Sequence, residues 1–231
     1  MPETDPSGSG HDCAASDIVI CHERCVDGDA EACAGLVTAG ARGLPVELDL
    51  LGERLQSLCD ARTPLACRSL GQLYAGGAGR PQDDALAARA FESACFGSDA
   101  LGCVFLAYVL REGQGVPQDL PRAFALLTRW CQQGVPAACN SLGYWYARGT
   151  FVEQDYERAF ELFLSACRKG DLHACDSVGE AYEKGWHVRQ DLHRAEVCYT
   201  LNCNYWNSGT SCESAARVRA LLGESSPPAE D

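Results

Sequence analysis

Fifteen cysteines in a chain of 231 residues are several times the usual density, and twelve of them fall into pairs of nearly one spacing. Cys25/Cys33, Cys59/Cys67, Cys95/Cys103, Cys131/Cys139 and Cys167/Cys175 are each eight residues apart, and Cys203/Cys212 is one residue longer. Thiols in such numbers can form disulfides, hold a soft metal or run redox exchange, and each chemistry leaves its own spacing. Zinc knuckles pinch one ion with C-x2-C or C-x4-C pairs. Thiol oxidoreductases carry C-x-x-C beside a strand-helix unit. No C-x2-C occurs here. Regular spacing at this density points to disulfides and an oxidising compartment, with packed, reduced thiols in the cytosol as the alternative.

Other reactive residues are sparse. The only lysines are Lys169 and Lys184, and no serine precedes either in an S-x-x-K arrangement. The five histidines, His11, His22, His173, His187 and His193, form no H-E-x-x-H or H-x-H-x-D pattern, and there is no G-x-S-x-G. No catalytic residue, cofactor or metal is therefore expected. A formal charge of −13 argues against nucleic acid and anionic membrane surfaces, leaving proteins or neutral small molecules as partners. No apolar run is long enough to span a bilayer, so membrane insertion is not expected either.

The first twelve residues, MPETDPSGSGHD, lack the basic start and apolar core of a signal peptide, so no export address is expected in the printed chain. That conflicts with the cysteines. It leaves a removed leader, as for a bacterial periplasmic or secreted protein, or entry by thiol trapping into the mitochondrial intermembrane space.

The elements that must position the cysteines follow from the chain's self-similarity at a shift of 36 residues. Cys59, Cys95, Cys131, Cys167 and Cys203 share one column, and Gln82-Asp83 recurs as Gln118-Asp119, Gln154-Asp155 and Gln190-Asp191. Each unit reads as two helices. In the first, Ala66/Gly102/Ala138/Ala174, Leu70/Leu106/Leu142/Val178 and Tyr74/Leu110/Tyr146/Tyr182 lie four apart on one packing face, beside the small column Gly71/Ala107/Gly143/Gly179. After a glycine-bearing loop the recurring Asp is placed to cap the second helix, whose buried columns are Ala87/Ala123/Ala159/Ala195 and Phe91/Leu127/Phe163/Tyr199. Such a unit cannot bury its face alone, so the expected fold is an all-α superhelix of about five stacked repeats and about twelve helices. The expected boundaries are one solenoid over 16–222, opened by a cap at Ser16, with flexible tails at 1–15 and 223–231.

LGQLYAGGAGRPQDDALAARAFESAC and LGYWYARGTFVEQDYERAFELFLSAC resemble the Sel-one-like repeat (SLR), a relative of the tetratricopeptide repeat with a longer inter-helix loop. The C-x7-C pairs are similar to those of its cysteine-rich Hcp branch, historically labelled beta-lactamase. CHERCVDGDAEACAGL also resembles the start of a mitochondrial cytochrome c oxidase assembly factor with the same repeats. The resemblance implies an α/α superhelix with one disulfide per repeat and a role as an adaptor for other proteins.

Residues i and i+8 of a continuous helix lie about 12 Å apart, so the helix must break inside each cassette for its cysteines to bond. Gly28, Gly97, Gly134, Gly170 and Gly209, with Pro64 and Pro136, are the candidate breakers. The bonds would then be Cys25-Cys33, Cys59-Cys67, Cys95-Cys103, Cys131-Cys139, Cys167-Cys175 and Cys203-Cys212, each stapling one repeat to the next. Cys13 and Cys21 have the same spacing and could form a seventh bond. Alternatively His11, Cys13, Cys21, His22 and Cys25 offer a soft metal or haem site. Cys198 lies in an apolar column and reads as a buried free thiol.

The first-helix columns not used for packing are Arg68/Val104/Asn140/Asp176, Gln72/Tyr108/Tyr144/Glu180 and Ala75/Arg111/Ala147/Glu183, and these vary while the packing columns do not. If the first helices line a concave face, Arg68, Gln72, Tyr108, Arg111, Asn140, Tyr144, Asp176 and Glu180 form a groove for an extended peptide. Trp130 and Trp145 read as packing residues. The expected function is a monomeric, non-catalytic adaptor, with a secreted beta-lactam-binding or weakly hydrolysing protein as the alternative.

Overall fold

The structure, a computed structural model, describes residue 13 and residues 17–44, 46–76, 81–206 and 209–224. Ser16, His11 and most of the two expected tails lie outside these. The described residues form twelve helices and no strand. The first is α1 (Ile18–Val26), followed by α2 (Ala30–Ala41), α3 (Leu48–Asp60), α4 (Pro64–Gly76), α5 (Asp84–Phe96) and α6 (Ala100–Glu112). Then come α7 (Leu120–Gln132), α8 (Pro136–Arg148), α9 (Tyr156–Arg168), α10 (Leu172–Lys184), α11 (Leu192–Trp206) and α12 (Gly209–Glu224). Even-numbered helices are the first helices of their repeats. No helix among the described residues is long and apolar enough to cross a membrane.

The chain divides into two compact units, Met1–Ala123 and Phe124–Asp231. In the first, α2 packs on α1, α3 and α4, and α4 packs on α3, α5 and α6. In the second, α8 packs on α9, α9 on α10, α10 on α11 and α11 on α12.

Helix starts follow local chemistry. Asp83, Asp119, Asp155 and Asp191 accept the amides of Leu86, Arg122, Arg158 and Arg194 at 2.9–3.0 Å, as the repeat predicts. Each such cap stabilises its helix by roughly 0.5–2 kcal/mol. First helices start in one of two ways. Asp29, Asp99 and Asp171 cap α2, α6 and α10 through their carboxylates, whereas α4 and α8 open on Pro64 and Pro136, which have no amide to satisfy. At the far ends of α6, α8 and α10, Gly113, Gly149 and Gly185 take φ of 68–71°, the left-handed stop that glycine adopts without strain.

The repeated columns are the core. Ala66, Ala138, Ala174, Ala123, Ala159 and Ala195 are fully or almost fully buried, as are Phe91, Leu127, Phe163 and Tyr199. The small column has a specific counterpart: a Cβ on Gly71 would meet the Phe91 ring at 2.5 Å, one on Gly143 the Phe163 ring at 2.6 Å, and one on Gly179 the Tyr199 ring at 3.1 Å. Glycine there lets a second-helix aromatic approach the first helix closely. Trp145 is buried within the second unit, while Trp130 is only half-buried.

All seven expected disulfides are present among the described residues, Cys13–Cys21 included. The six cassette bonds have Cα–Cα distances of 4.5–4.7 Å, and each ties the end of one helix to the first turns of the next. Cys13, Cys21 and Cys25 are each bonded, so they have no thiolate to offer a metal or haem. Cys198 is free and half-buried.

The breakers differ from the sequence reading. The left-handed residue stands three places after the first cysteine in every eight-residue cassette of the repeat: Gly28 (φ 101°), Arg62 (62°), Ser98 (66°), Gly134 (88°) and Gly170 (91°). Gly97 has φ −75° and Gly209 opens α12, so neither is the break. Gly97 is needed for space instead, since a Cβ there would lie 2.4 Å from Pro64 Cγ.

Nothing lies within 4 Å of a Cβ placed on Gly170, so Gly170→Ala isolates the backbone cost. We expect a loss of about 1 kcal/mol, and for Ser98→Gly a change of no more than about 0.5 kcal/mol, because relieved strain offsets added chain entropy. Thermal melts of the oxidised protein check both.

Candidate functional site

In the first unit, Arg68 on α4 pairs with Asp99 at 3.0 Å, both side chains being only 17% exposed. Asp99 also caps α6, so Arg68 belongs to the structural joint between α4 and α6. Gln72 is half-buried one turn on. Tyr108 on α6 is 48% exposed, with the Arg111 guanidinium 5.0 Å from its ring centroid. Arg111 also pairs with Glu112 at 2.6 Å, and its carbonyl accepts from Gln118. Tyr108 and Arg111 thus come together, apart from the Arg68 ion pair.

In the second unit, Tyr144 on α8 shares a 2.8 Å hydrogen bond with the Ser177 hydroxyl on α10 and meets the Phe163 ring edge-on at 5.0 Å. Asn140, one turn earlier, is half-buried, and its Oδ1 has no hydrogen-bond partner among the described residues. Asp176 accepts hydrogen bonds from the Asn202 amide of α11 and the Ser211 hydroxyl of α12. Asn202 and Ser211 directly precede Cys203 and Cys212, so the last staple also carries this buried polar joint. Glu180 is ion-paired with Lys184 one turn on.

Tyr144, Asp176 and Glu180 border two adjoining cavities. One, of about 240 Å³, is walled by the aromatic rings of Tyr144, Tyr156, Phe160, Phe163 and Trp186. The other, of about 290 Å³, is polar and is lined by Asp176, Glu183, Lys184, Tyr199 and Arg217. Tyr144, Ser177 and Glu180 belong to both, so the cavities follow one another along the face of α8, α10 and α12. Of the eight residues expected to form a groove, Tyr144, Asp176 and Glu180 are brought together here.

Sequence reasoning passed over Tyr156, Trp186 and Arg217. Tyr156 and Trp186 did leave a signal, each being the one aromatic in its column: Asp84/Leu120/Tyr156/Leu192 and Gln114/Thr150/Trp186. Tyr199 was assigned only to packing. Its hydroxyl also donates to Glu183 at 2.8 Å.

Arg217 makes two hydrogen bonds to Glu183, at 2.9 and 3.0 Å. Those bonds first, and the Tyr199 hydroxyl after them, hold the Glu183 carboxyl below its ordinary value. Burial pushes the Tyr199 phenol far up, with the hydrogen bond to Glu183 adding to the shift. Because the folded pKa of Glu183 lies below the unfolded one, its contribution to stability is present above the unfolded value and disappears as pH falls through the folded value. We expect Glu183→Gln to lower the melting temperature at pH 6 but much less at pH 3, which a pair of thermal scans checks. The Cys198 thiol is pushed up by burial and then by Asp176, so at neutral pH it is a poor nucleophile.

Seven disulfides within one chain indicate an oxidising, non-cytoplasmic compartment. No curated protein sequence matches the chain. Among solved structures, the fold is similar to a Sel1 repeat protein from Oxalobacter formigenes, at 19% identity, covering 92% of this chain and 100% of that one with a TM-score of 0.66. It is also similar to c5321, a protective antigen present in uropathogenic Escherichia coli strains that displays an SLR fold, at 21% identity, 90% coverage and a TM-score of 0.62. The chain spans 45% of the length of c5321. Helicobacter pylori cysteine rich protein B is 25% identical, over 56% of this chain and 97% of that one, with a TM-score of 0.47. Four consecutive segments, residues 64–95, 100–135, 136–171 and 172–201, match the Sel1 repeat model, a repeat whose scaffold is typical of protein–protein interaction. With more than half its length in matched repeats and its helix pairs joined at the cystines, the chain belongs to the Sel1 repeat family.

Proposed function

We propose that the protein is a non-catalytic scaffold that holds an extended segment of a partner protein along the face of α8, α10 and α12. One observation carries this reading: the two cavities share the wall formed by Tyr144, Ser177 and Glu180. Together they offer successive side chains of an extended ligand an aromatic and then a polar seat. Tyr108, Arg111 and Gln72 on the first unit are proposed as a further contact surface. Rigid cystine joints suit such a role, since a face that is already ordered loses little entropy on binding. Holding a client during assembly, in the mitochondrial intermembrane space, a bacterial periplasm or the extracellular medium, is consistent with the cystines.

A random-peptide selection on the immobilised protein tests the reading. Selected peptides should bind Tyr144→Ala/Trp186→Ala at least about tenfold more weakly than the unaltered protein, as expected for loss of aromatic anchors, while its helical circular dichroism is unchanged. Peptides that bind both proteins equally would sink it. Nitrocefin turnover above the buffer rate would favour a hydrolase instead.

A further inference from the structure

The aromatic cavity already has a cation at its rim. The Lys184 ammonium lies 4.3 Å from the centroid of the Trp186 ring and is ion-paired with Glu180, while its side chain remains 47% exposed. Across the cavity the Arg148 guanidinium stands 5.6 Å from the Tyr144 ring. Trp186 and Tyr156, 42% and 43% exposed, lie with their ring centroids 5.9 Å apart and their planes inclined by 34°. Two half-open rings at this separation leave faces that favour a planar or compact cation, because the negative face of an aromatic ring attracts positive charge.

The carboxylates around the two cavities are unequally satisfied. Glu183 is met by both arms of the Arg217 guanidinium. Asp176 is met by an amide and a hydroxyl, both neutral, and among the described residues no cation pairs with it. Glu180, which borders both cavities, is ion-paired with the exposed Lys184, and among the described residues Arg217 acts on it only at longer range. The chain as a whole carries −13. A ligand cation therefore meets an aromatic wall, a carboxylate held by an easily displaced partner, and a favourable long-range field.

Resting on the peptide-binding face proposed above, we propose that the partner segment is basic: an Arg or Lys side chain stacks on Trp186 and Tyr156 and pairs with Glu180, displacing Lys184. Lys184 is then an internal stand-in for the ligand. The consequence is unusual for a residue at a binding site, since removing it raises affinity.

End-blocked, fluorescein-labelled peptides of equal length, alternating Gly-Arg, Gly-Glu or Gly-Pro, titrated by anisotropy, test this on the full oxidised chain. The Gly-Arg peptide should bind at least about tenfold more tightly than the other two. Trp186→Ala, which leaves the charge unchanged, should weaken it about tenfold, and Glu180→Gln should weaken it about fivefold. Lys184→Ala should tighten it about threefold, beyond the gain from Lys169→Ala, which makes the same charge change away from both cavities. Gly-Arg binding that ignores Trp186→Ala overturns the proposal, because net charge alone then accounts for it. Tight binding of Gly-Pro or Gly-Glu that is lost in Tyr144→Ala/Trp186→Ala also overturns it, while leaving the peptide-binding face itself standing.

Discussion

Reduced under otherwise native conditions, the protein is expected to lose its cooperative thermal transition and most of its helicity. Each staple closes a ring of about nine residues, for which the chain-entropy model gives about 2–3 kcal/mol. Seven such bonds together match or exceed the upper end of the roughly 5–15 kcal/mol of net stability usual for a folded domain. The cystines are also core. Cys25, Cys33, Cys67, Cys103, Cys139 and Cys175 are almost fully buried, and Cys25 and Cys33 belong to one core cluster with Leu36, Leu51, Leu55 and Leu70. In a repeat array, stability is a sum of weak units and the interfaces between them. Staples at each repeat junction act on those interfaces, so their loss should uncouple neighbouring repeats rather than remove one local contact. Circular dichroism melts with and without reductant check this, alongside mass spectrometry of alkylated protein. Denatured without reductant, the chain should take up one label, at Cys198; reduced first, it should take up fifteen. A reduced protein melting within a few degrees of the oxidised one would show that the helix stack holds itself.

Gly143→Ala is expected to destabilise the protein, against the usual benefit of alanine in a helix. Alanine gains about 1 kcal/mol of helix propensity. The new Cβ, however, would lie 2.6, 2.8 and 3.1 Å from three carbons of the Phe163 ring. That ring is buried and has Tyr144 packed against it, so it cannot simply swing aside. Overpacking of this kind costs about 1–3 kcal/mol, so against a buried ring that cannot move aside the clash should win by up to about 2 kcal/mol. The chain contains a compensated version of the pair, since the corresponding columns of another repeat read Ala107 and Leu127. Phe163→Leu alone should cost about 1–2 kcal/mol through the space it leaves. The double variant should be more stable than the sum of the two by about 1 kcal/mol, the coupling expected of residues in contact. Strict additivity in thermal melts would mean that the glycine column has no packing role. Because Phe163 also walls the aromatic cavity, Gly143→Ala should weaken selected peptides as well.

The helices and joints were legible because their causes are local. A capping aspartate acts on amides three residues away, an apolar face repeats every turn, and a cystine spanning eight residues can close only if the helix breaks between its cysteines. Gly97 was misread for a reason that is also local. Glycine suggests a backbone break, yet in that cassette Ser98 makes the break and Gly97 makes room for Pro64. Only the packed structure separates conformational need from steric need.

The sequence by itself determined the repeat, its two-helix unit, the cassettes in which cysteines recur and the columns that face inward, since a period of 36 residues forces equivalent positions into equivalent surroundings. Tertiary structure alone decided which of the variable positions are tied into joints between helices and which border cavities. Arg68 is tied to Asp99, 31 residues on, and Asp176 to Ser211, 35 residues on, while Tyr144 and Glu180 open onto cavities completed by Trp186, Tyr156 and Arg217. Those partnerships depend on the angle and offset between neighbouring helices. Helical periodicity says which way a side chain points, but not what stands opposite it.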